Sequence, residues 1–437
     1  MTLAKPIGDW RRLALTLGGE AMQSGLHFAL NMALMVLLPP REYGTFAFTL
    51  VLGGVGLTYV RALTAMPAST YIGRSRRAVF GAFYEGAFRA ASLVLCIVMA
   101  VIAGFILSNW SEEAAWSGGA VVGLWSLRSH ARTVGFARGR PGAVMIGDAA
   151  FAASGAAASA LALRFAPDRL QGVLLALVLA NIVGATTLQF ARGAPLRVDF
   201  GRRARVFYFG LSRRLVWSLY SVTAAILQGQ GLSFLVVAVA GPAAFAPIAA
   251  MMAIFAPLRI FAMSLANMLQ PEVARVVAAG DAAGWRELRR TWTLRAIALA
   301  LLYGDIGLGV IPRLHLRSVE GQPVLFIAVL AWALFAVVLA YLLPRILLEV
   351  RMRFRDIAMV TTVGGLIGLA VTATLLWLAP PGYCIVGAVL GESLVAVATW
   401  RLAAGALAGG RRTARRSDAE GGLVSTTGET CEAGRTR

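Results

Sequence analysis

The stretch Leu38-Pro39-Pro40-Arg41-Glu42-Tyr43-Gly44 joins two apolar segments, Leu13 to Leu38 and Tyr43 to Met66, and the reading of residues 20–67 decides the fold. Each segment is roughly 25 residues long, enough to cross a hydrocarbon core of about 30 Å as a tilted helix. Glu20, Gln23, Ser24, His27 and Asn31 recur at three- and four-residue spacing, so they share one face of the first helix. Arg61 lies deep in the second, ahead of Pro67. Lipid would not tolerate such groups, so these helices face other protein or a watered cavity.

A related pattern returns about 202 to 204 residues later. Pro242 precedes Phe245-Ala246-Pro247-Ile248-Ala249 much as Pro40 precedes Tyr43-Gly44-Thr45-Phe46-Ala47, and Met66-Pro67 has a counterpart in Gln270-Pro271. Gln228 and Gln230 are polar in the apolar run before it, and Arg259 lies in the helix after it. We read two halves of one design; the plain alternative is that any two apolar hairpins with prolines align loosely.

Composition supports a chain that spans the membrane many times. Of its 437 residues 58% are hydrophobic and 14% charged, with a mean hydropathy of +0.73; a soluble domain does not account for this. The formal charge of +20 would suit nucleic acid, but the arginines cluster at the ends of apolar segments, where membrane topology explains them better. The spacing predicts about twelve spans: 13–38, 43–66, 83–108, 114–136, 143–164, 170–190, 214–239, 243–269, 292–312, 322–346, 357–379 and 383–407. Arginines crowd alternate connections, among them Arg74, Arg76, Arg77, Arg138, Arg140, Arg197, Arg202, Arg203, Arg205 and Arg351. That bias predicts both termini in the cytoplasm.

The fold class expected is therefore all-α, a polytopic membrane protein with a cytoplasmic N-terminus over 1–12, a six-helix bundle over 13–190, a cytoplasmic linker over 191–213, a second bundle over 214–407 and an unfolded tail over 408–437. Arginines interleave with Phe200, Val206, Phe207, Tyr208 and Phe209 in the linker, which reads either as an amphipathic helix on an anionic leaflet or as a solvated connection.

An ionisable group near the bilayer centre costs about 2.5 to 3.5 kcal/mol, so each needs a reason. Arg61, Arg128, Arg132 and Arg259 are the deep cations, and a cavity lined by them would attract an anion. Arg128 and Arg132, one helical turn apart, are also within reach of the interface, where long side chains draw their charge into water. Glu85 and Arg89 read as a local ion pair, and Asp148 as interfacial. Glu20, Asp305 and Glu392 either titrate in a coupling step or pair with those arginines. Gly53, Gly54 and Gly56, with Pro247 and Pro257, mark joints or close packing.

Other chemistries find no support. His27, His130 and His315 are scattered without metal spacing, and no phosphate loop of the Walker type appears. No cofactor, catalytic group or nucleic-acid partner is expected, and the connections on the outer side are too short to carry an enzyme's catalytic residues.

The motif Leu38-Pro39-Pro40-Arg41-Glu42-Tyr43-Gly44-Thr45-Phe46-Ala47, with Gly241-Pro242-Ala243-Ala244-Phe245 and Gln270-Pro271-Glu272, resembles the polysaccharide transporter, or O-antigen flippase, family within the multidrug and oligosaccharidyl-lipid exporter superfamily. The resemblance covers about helices 1 to 9. It implies two six-helix bundles in a V shape, MATE-like, and translocation of a polyprenyl-pyrophosphate-linked oligosaccharide across the bacterial inner membrane by alternating access. It further implies lipid-linked oligosaccharide as substrate, membrane lipid as surroundings, and the glycan polymerase and glycosyltransferases of the same pathway as partners. Arg61, Arg259, Arg128 and Arg132 would meet the pyrophosphate; Glu20, Gln23, His27, Asn31, Gln228 and Gln230 would lie beside the sugars. Gln228-Gly229-Gln230 stands where the family commonly carries an acidic cluster, a departure that weakens any coupling role there. Two alternatives remain open: a multidrug or cation antiporter of the same fold, and a membrane-embedded glycan polymerase or ligase.

Overall fold

The computed structural model describes residues 7–75, 78–193, 195–319 and 322–424. It is all helical. Helix α1 (Ile7–Leu37) is followed by α2 (Pro40–Val60), a π turn (Arg61–Ala65) and α3 (Met66–Arg74). Then come α4 (Ala78–Ser108), α5 (Glu112–Ala137), α6 (Pro141–Phe165), α7 (Arg169–Arg192) and the long α8 (Arg202–Ala278). The chain closes with α9 (Ala282–Val310), α10 (Val324–Ala340), α11 (Leu342–Val350), α12 (Phe354–Leu378) and α13 (Ile385–Val424).

Local chemistry sets the boundaries. Pro39 is extended and Pro40 opens α2, a position where the missing N–H costs nothing. Ser111 and Asp168 cap α5 and α7 by accepting from the amides of Ala114 and Gln171. Asp281 does the same for α9, accepting from Ala283 and Gly284. The π turn falls just before Met66-Pro67, where a proline ring inside a continuous helix would collide with the preceding turn. Gly241, at φ 80°, breaks the helical run of α8, so that α8 holds two spans.

Among the described residues nine helical stretches are long and apolar enough to cross a membrane. α1 and α5 fall outside that set although they have 31 and 26 residues. Their apolar runs are interrupted by Glu20, Gln23 and His27 in one and by Arg128, His130 and Arg132 in the other. With these two and the break in α8, the helices supply the about twelve crossings expected from the sequence.

The chain forms two compact units, one of residues Met1–Ile254, Leu308–Ala331 and Val371–Val386, the other of Phe255–Gly307, Trp332–Ala370 and Gly387–Arg437. In the first unit α2 packs on α5 through its glycines: a Cβ at Gly53 would strike the Trp125 ring and one at Gly56 the Ser126 hydroxyl. These glycines serve close helix approach, the way small residues serve it in membranes generally. Phe48 sits in a T-shaped aromatic group with Trp110, Phe234 and Phe245. In the expected linker, Asp199 donates its amide to the Gly86 carbonyl, and Phe207 and Tyr208 pack on the cluster of Ala68, Ile72, Phe88, Val134 and Leu211. In the second unit Gly364, Gly368 and Gly391 bring α12 and α13 together, and Trp332 donates to the Ala300 carbonyl at 2.8 Å. The expected tail begins, in its backbone, as a continuation of α13 to Val424; residues 425–437, with Cys431, lie outside the described residues.

Candidate functional site

The polar face of α1 meets α5 and α6 inside the first unit, and α5 reaches α7 through Asn181. Arg128 on α5 is 1% exposed and uses its whole guanidinium. Nε donates to Asn181 on α7 at 3.0 Å, Nη1 to Asp148 on α6 at 2.9 Å, and Nη2 to Gln23 on α1 at 2.9 Å. Its flat face lies 3.7 Å from the centre of the Phe151 ring, a cation–π contact. One turn further, Arg132 donates Nε to Asp148 at 3.0 Å and Nη2 to Glu20 at 2.9 Å. Two cations and two carboxylates thus alternate along a chain that runs Arg128, Asp148, Arg132, Glu20 and joins four elements through Asn181.

Burial of any one of these charges alone would cost several kcal/mol, and what makes the arrangement tolerable is that every partner is matched and hydrogen-bonded. The chain has one open end. Glu20 keeps 53% of its side chain exposed, whereas Asp148 keeps 1%. About two turns further along α1, His27 stacks on Trp125 at 4.5 Å and lies 5.8 Å from Phe151. Both of its ring nitrogens, and the Trp125 indole nitrogen, are shielded and have no hydrogen-bond partner. Asn31 donates to the His27 carbonyl and accepts from the Tyr43 hydroxyl, tying α1 to the start of α2.

The other residues singled out from sequence lie on other elements. Arg61 is exposed in the π turn of the first unit, and Arg259 is exposed on α8 in the second. Gln228 and Gln230 are half-buried on α8 in the first unit. Asp305 is exposed on α9, and Glu392 accepts from the Tyr341 hydroxyl at 2.9 Å, both in the second unit. Asp148 is buried and doubly paired where its sequence position pointed to the interface, and Asn181 was not singled out at all. Among the described residues no group of three or more His, Cys, Asp or Glu side chains could hold a metal ion.

A second ionic cluster lies nearer the chain's basic connections. Glu85 accepts from Arg89 at 2.9 Å, Arg192 at 2.6 Å and Arg138 at 3.0 Å. The i,i+4 pair read from sequence is present, but it is one third of a cluster in which a single carboxylate serves three guanidiniums.

No family model matches the chain, and no curated protein sequence does either. Solved structures do match. An inward-facing conformation of a multidrug resistance MATE family transporter of the MOP superfamily aligns over 91% of this chain and 99% of its own, with a TM-score of 0.65 at 11% identity. The fold is that of the MATE transporters. The eukaryotic MATE transporter AtDTX14 aligns with a TM-score of 0.61 at 15% identity, over 91% of this chain and 95% of its own. An outward-facing MATE structure gives 0.52 at 12% identity, over 92% and 97%.

These matches correct the resemblance to the O-antigen flippase family. The relatives that share the fold along nine-tenths of the chain are multidrug transporters, so the lipid-linked oligosaccharide substrate, the pathway polymerase and glycosyltransferases, and flippase activity itself are not carried forward. Of the four arginines expected to meet a pyrophosphate, Arg128 and Arg132 are already neutralised by Asp148 and Glu20, while Arg61 and Arg259 are exposed. A short Pro-x-x-Tyr-Gly motif describes how α2 begins, which MATE-fold proteins of different cargo have equal reason to share.

Proposed function

We propose that the protein is an antiporter of the multidrug or cation kind, exporting small solutes by alternating access. The observation that carries this reading is the likeness of fold to MATE transporters along nine-tenths of the chain. The charge balance of the first unit supports it. With Arg128 and Arg132 matched, the network's exposed end is the carboxylate of Glu20. An exposed carboxylate at the end of a neutralised network suits a cation better than an anion. We place the chain in a bacterial inner membrane with both termini cytoplasmic, on the arginine bias of its alternate connections.

The first unit also contains a tight joint. A Cβ at Gly44 would collide with the Pro242 carbonyl oxygen, so the two turns whose sequence pattern repeats lie backbone against backbone. Alternating access needs such close seams to separate in one state and reseat in the other, and Gly44→Val is expected to obstruct reseating.

Expression in a host stripped of its own exporters tests the reading. Tolerance of ethidium and similar organic cations is expected to rise with the wild-type chain and to fall back with Gly44→Val at equal expression. Unchanged tolerance across a panel of organic cations, with the wild-type protein present in the membrane, would overturn it.

A further inference from the structure

Beside the Glu85 cluster a long groove of about 460 Å³ runs down the outer flank of α4. Its floor is made of small side chains, Ala87, Ala90 and Ala91, and its walls include Leu63, Val94, Leu95, Tyr208 and Phe209. Tyr208 is held over it by donating to the Leu63 carbonyl at 3.1 Å. From Ala87 to Val98 the helix rises about 16 Å, roughly half of the 30 Å hydrocarbon core and so the depth of one leaflet. Val94, Ile97 and Val98, and beyond them Val101, Ile102 and Phe105, are exposed apolar residues on the same helix. The groove therefore opens where acyl chains lie.

Its other end is polar and basic. Asp199 and Arg205 line it there, and Asp199 bonds backbone to backbone with Gly86, next to Ala87. The carboxylate of Asp199 accepts from the Gly201 amide, where α8 begins, so its charge is engaged at that helix start. Arg205 is exposed, and Arg202, one turn before it on the same face, is exposed too. Among the described residues neither makes an ion pair. Exposed Phe200, Val206 and Phe209 interleave with these arginines, an arrangement that sits at the boundary of headgroups and chains.

We propose that this groove is a binding site for an anionic phospholipid, with one acyl chain laid along Ala87, Ala90, Ala91 and Val94 and the phosphate held by Arg202 and Arg205. The small residues make room for the chain, and the unpaired arginines select the charge. The proposal does not depend on what the protein transports, since its readout is bound lipid.

Native mass spectrometry of the purified protein, equilibrated with phosphatidylglycerol and phosphatidylcholine in equal amount, tests it. The wild-type protein is expected to retain phosphatidylglycerol in preference. Arg202→Gln with Arg205→Gln is expected to reduce that preference by about fivefold per arginine while lipid of either kind still binds. Ala91→Phe fills the groove and is expected to remove the bound lipid; Val94→Trp, an exposed position on the rim, serves if the alanine variant does not fold. A melting shift with inorganic phosphate alone, equal to that with the lipid, would show a free-anion site and overturn the lipid assignment. Equal retention of the two lipids by the wild-type protein would overturn it as well, as would unchanged lipid in a folded groove-filling variant, or a lipid-free dimer covering the face.

Discussion

The two ionic clusters of the first unit use the same residue types toward opposite charge balances. Arg128, Asp148, Arg132 and Glu20 alternate in sign and sum to zero, whereas Glu85 faces Arg89, Arg138 and Arg192 and leaves two positive charges over. The first lies between α1, α5, α6 and α7; the second lies where α4, α5 and α7 meet the connection at 195–200. A surplus of positive charge among packed helices needs a route to water. The balanced cluster is an internal brace with one exposed end, and the unbalanced one keeps Glu85, Arg89 and Arg192 buried and reaches water through Arg138.

Removing the shared carboxylate breaks that contrast most strongly. Asp148→Asn leaves the buried Arg128 without a counter-ion and Arg132 with Glu20 alone, and is expected to cost about 3–5 kcal/mol, read as a lowered melting temperature in detergent. Arg128→Met combined with Asp148→Leu takes away both charges of one pair, and because matched removal avoids a stranded ion, much of that loss is expected to return. Glu85→Gln is expected to cost about 3 kcal/mol, toward the lower end of the same range, because Arg138 has a route to water. Arg138→Gln, by contrast, removes one of three cations on a single carboxylate at a partly exposed position, and about 0.5–1 kcal/mol is expected. Glu20→Gln is expected to change stability least of all, since more than half of its side chain is exposed.

Much of this architecture was legible before any coordinates. The polar stripe Glu20, Gln23, His27 and Asn31 reads as a buried face because helical spacing aligns it, and the face does meet other helices through Gln23 and Glu20. Pro40 and Gly241 announce breaks because their backbone constraints are intrinsic to the residue. Asp148 and Asn181 were not legible as partners. Each lies in an apolar stretch of its helix, and its position along α6 or α7 says nothing of an arginine 20 or 53 residues earlier in the chain. Arg128 and Arg132 were recognised as deep, yet depth alone does not tell a free cation from one whose charge is already met. The glycan reading rests on the short motif at Leu38 to Ala47 and on the deep arginines, Arg61 and Arg259 foremost; for Arg128 and Arg132 a count of acids on the neighbouring helices weakens it.

The central claim is that internal matching of the deep arginines leaves Glu20 as the charged group a solute meets. Proteoliposomes holding the purified protein, given an imposed proton or sodium gradient, measure this as uptake of ethidium. The account predicts uptake by the wild-type protein and its loss in Glu20→Gln, with melting temperature and reconstitution unchanged. Full uptake by Glu20→Gln, or no gradient-driven uptake of any organic cation by the wild-type protein, would contradict it.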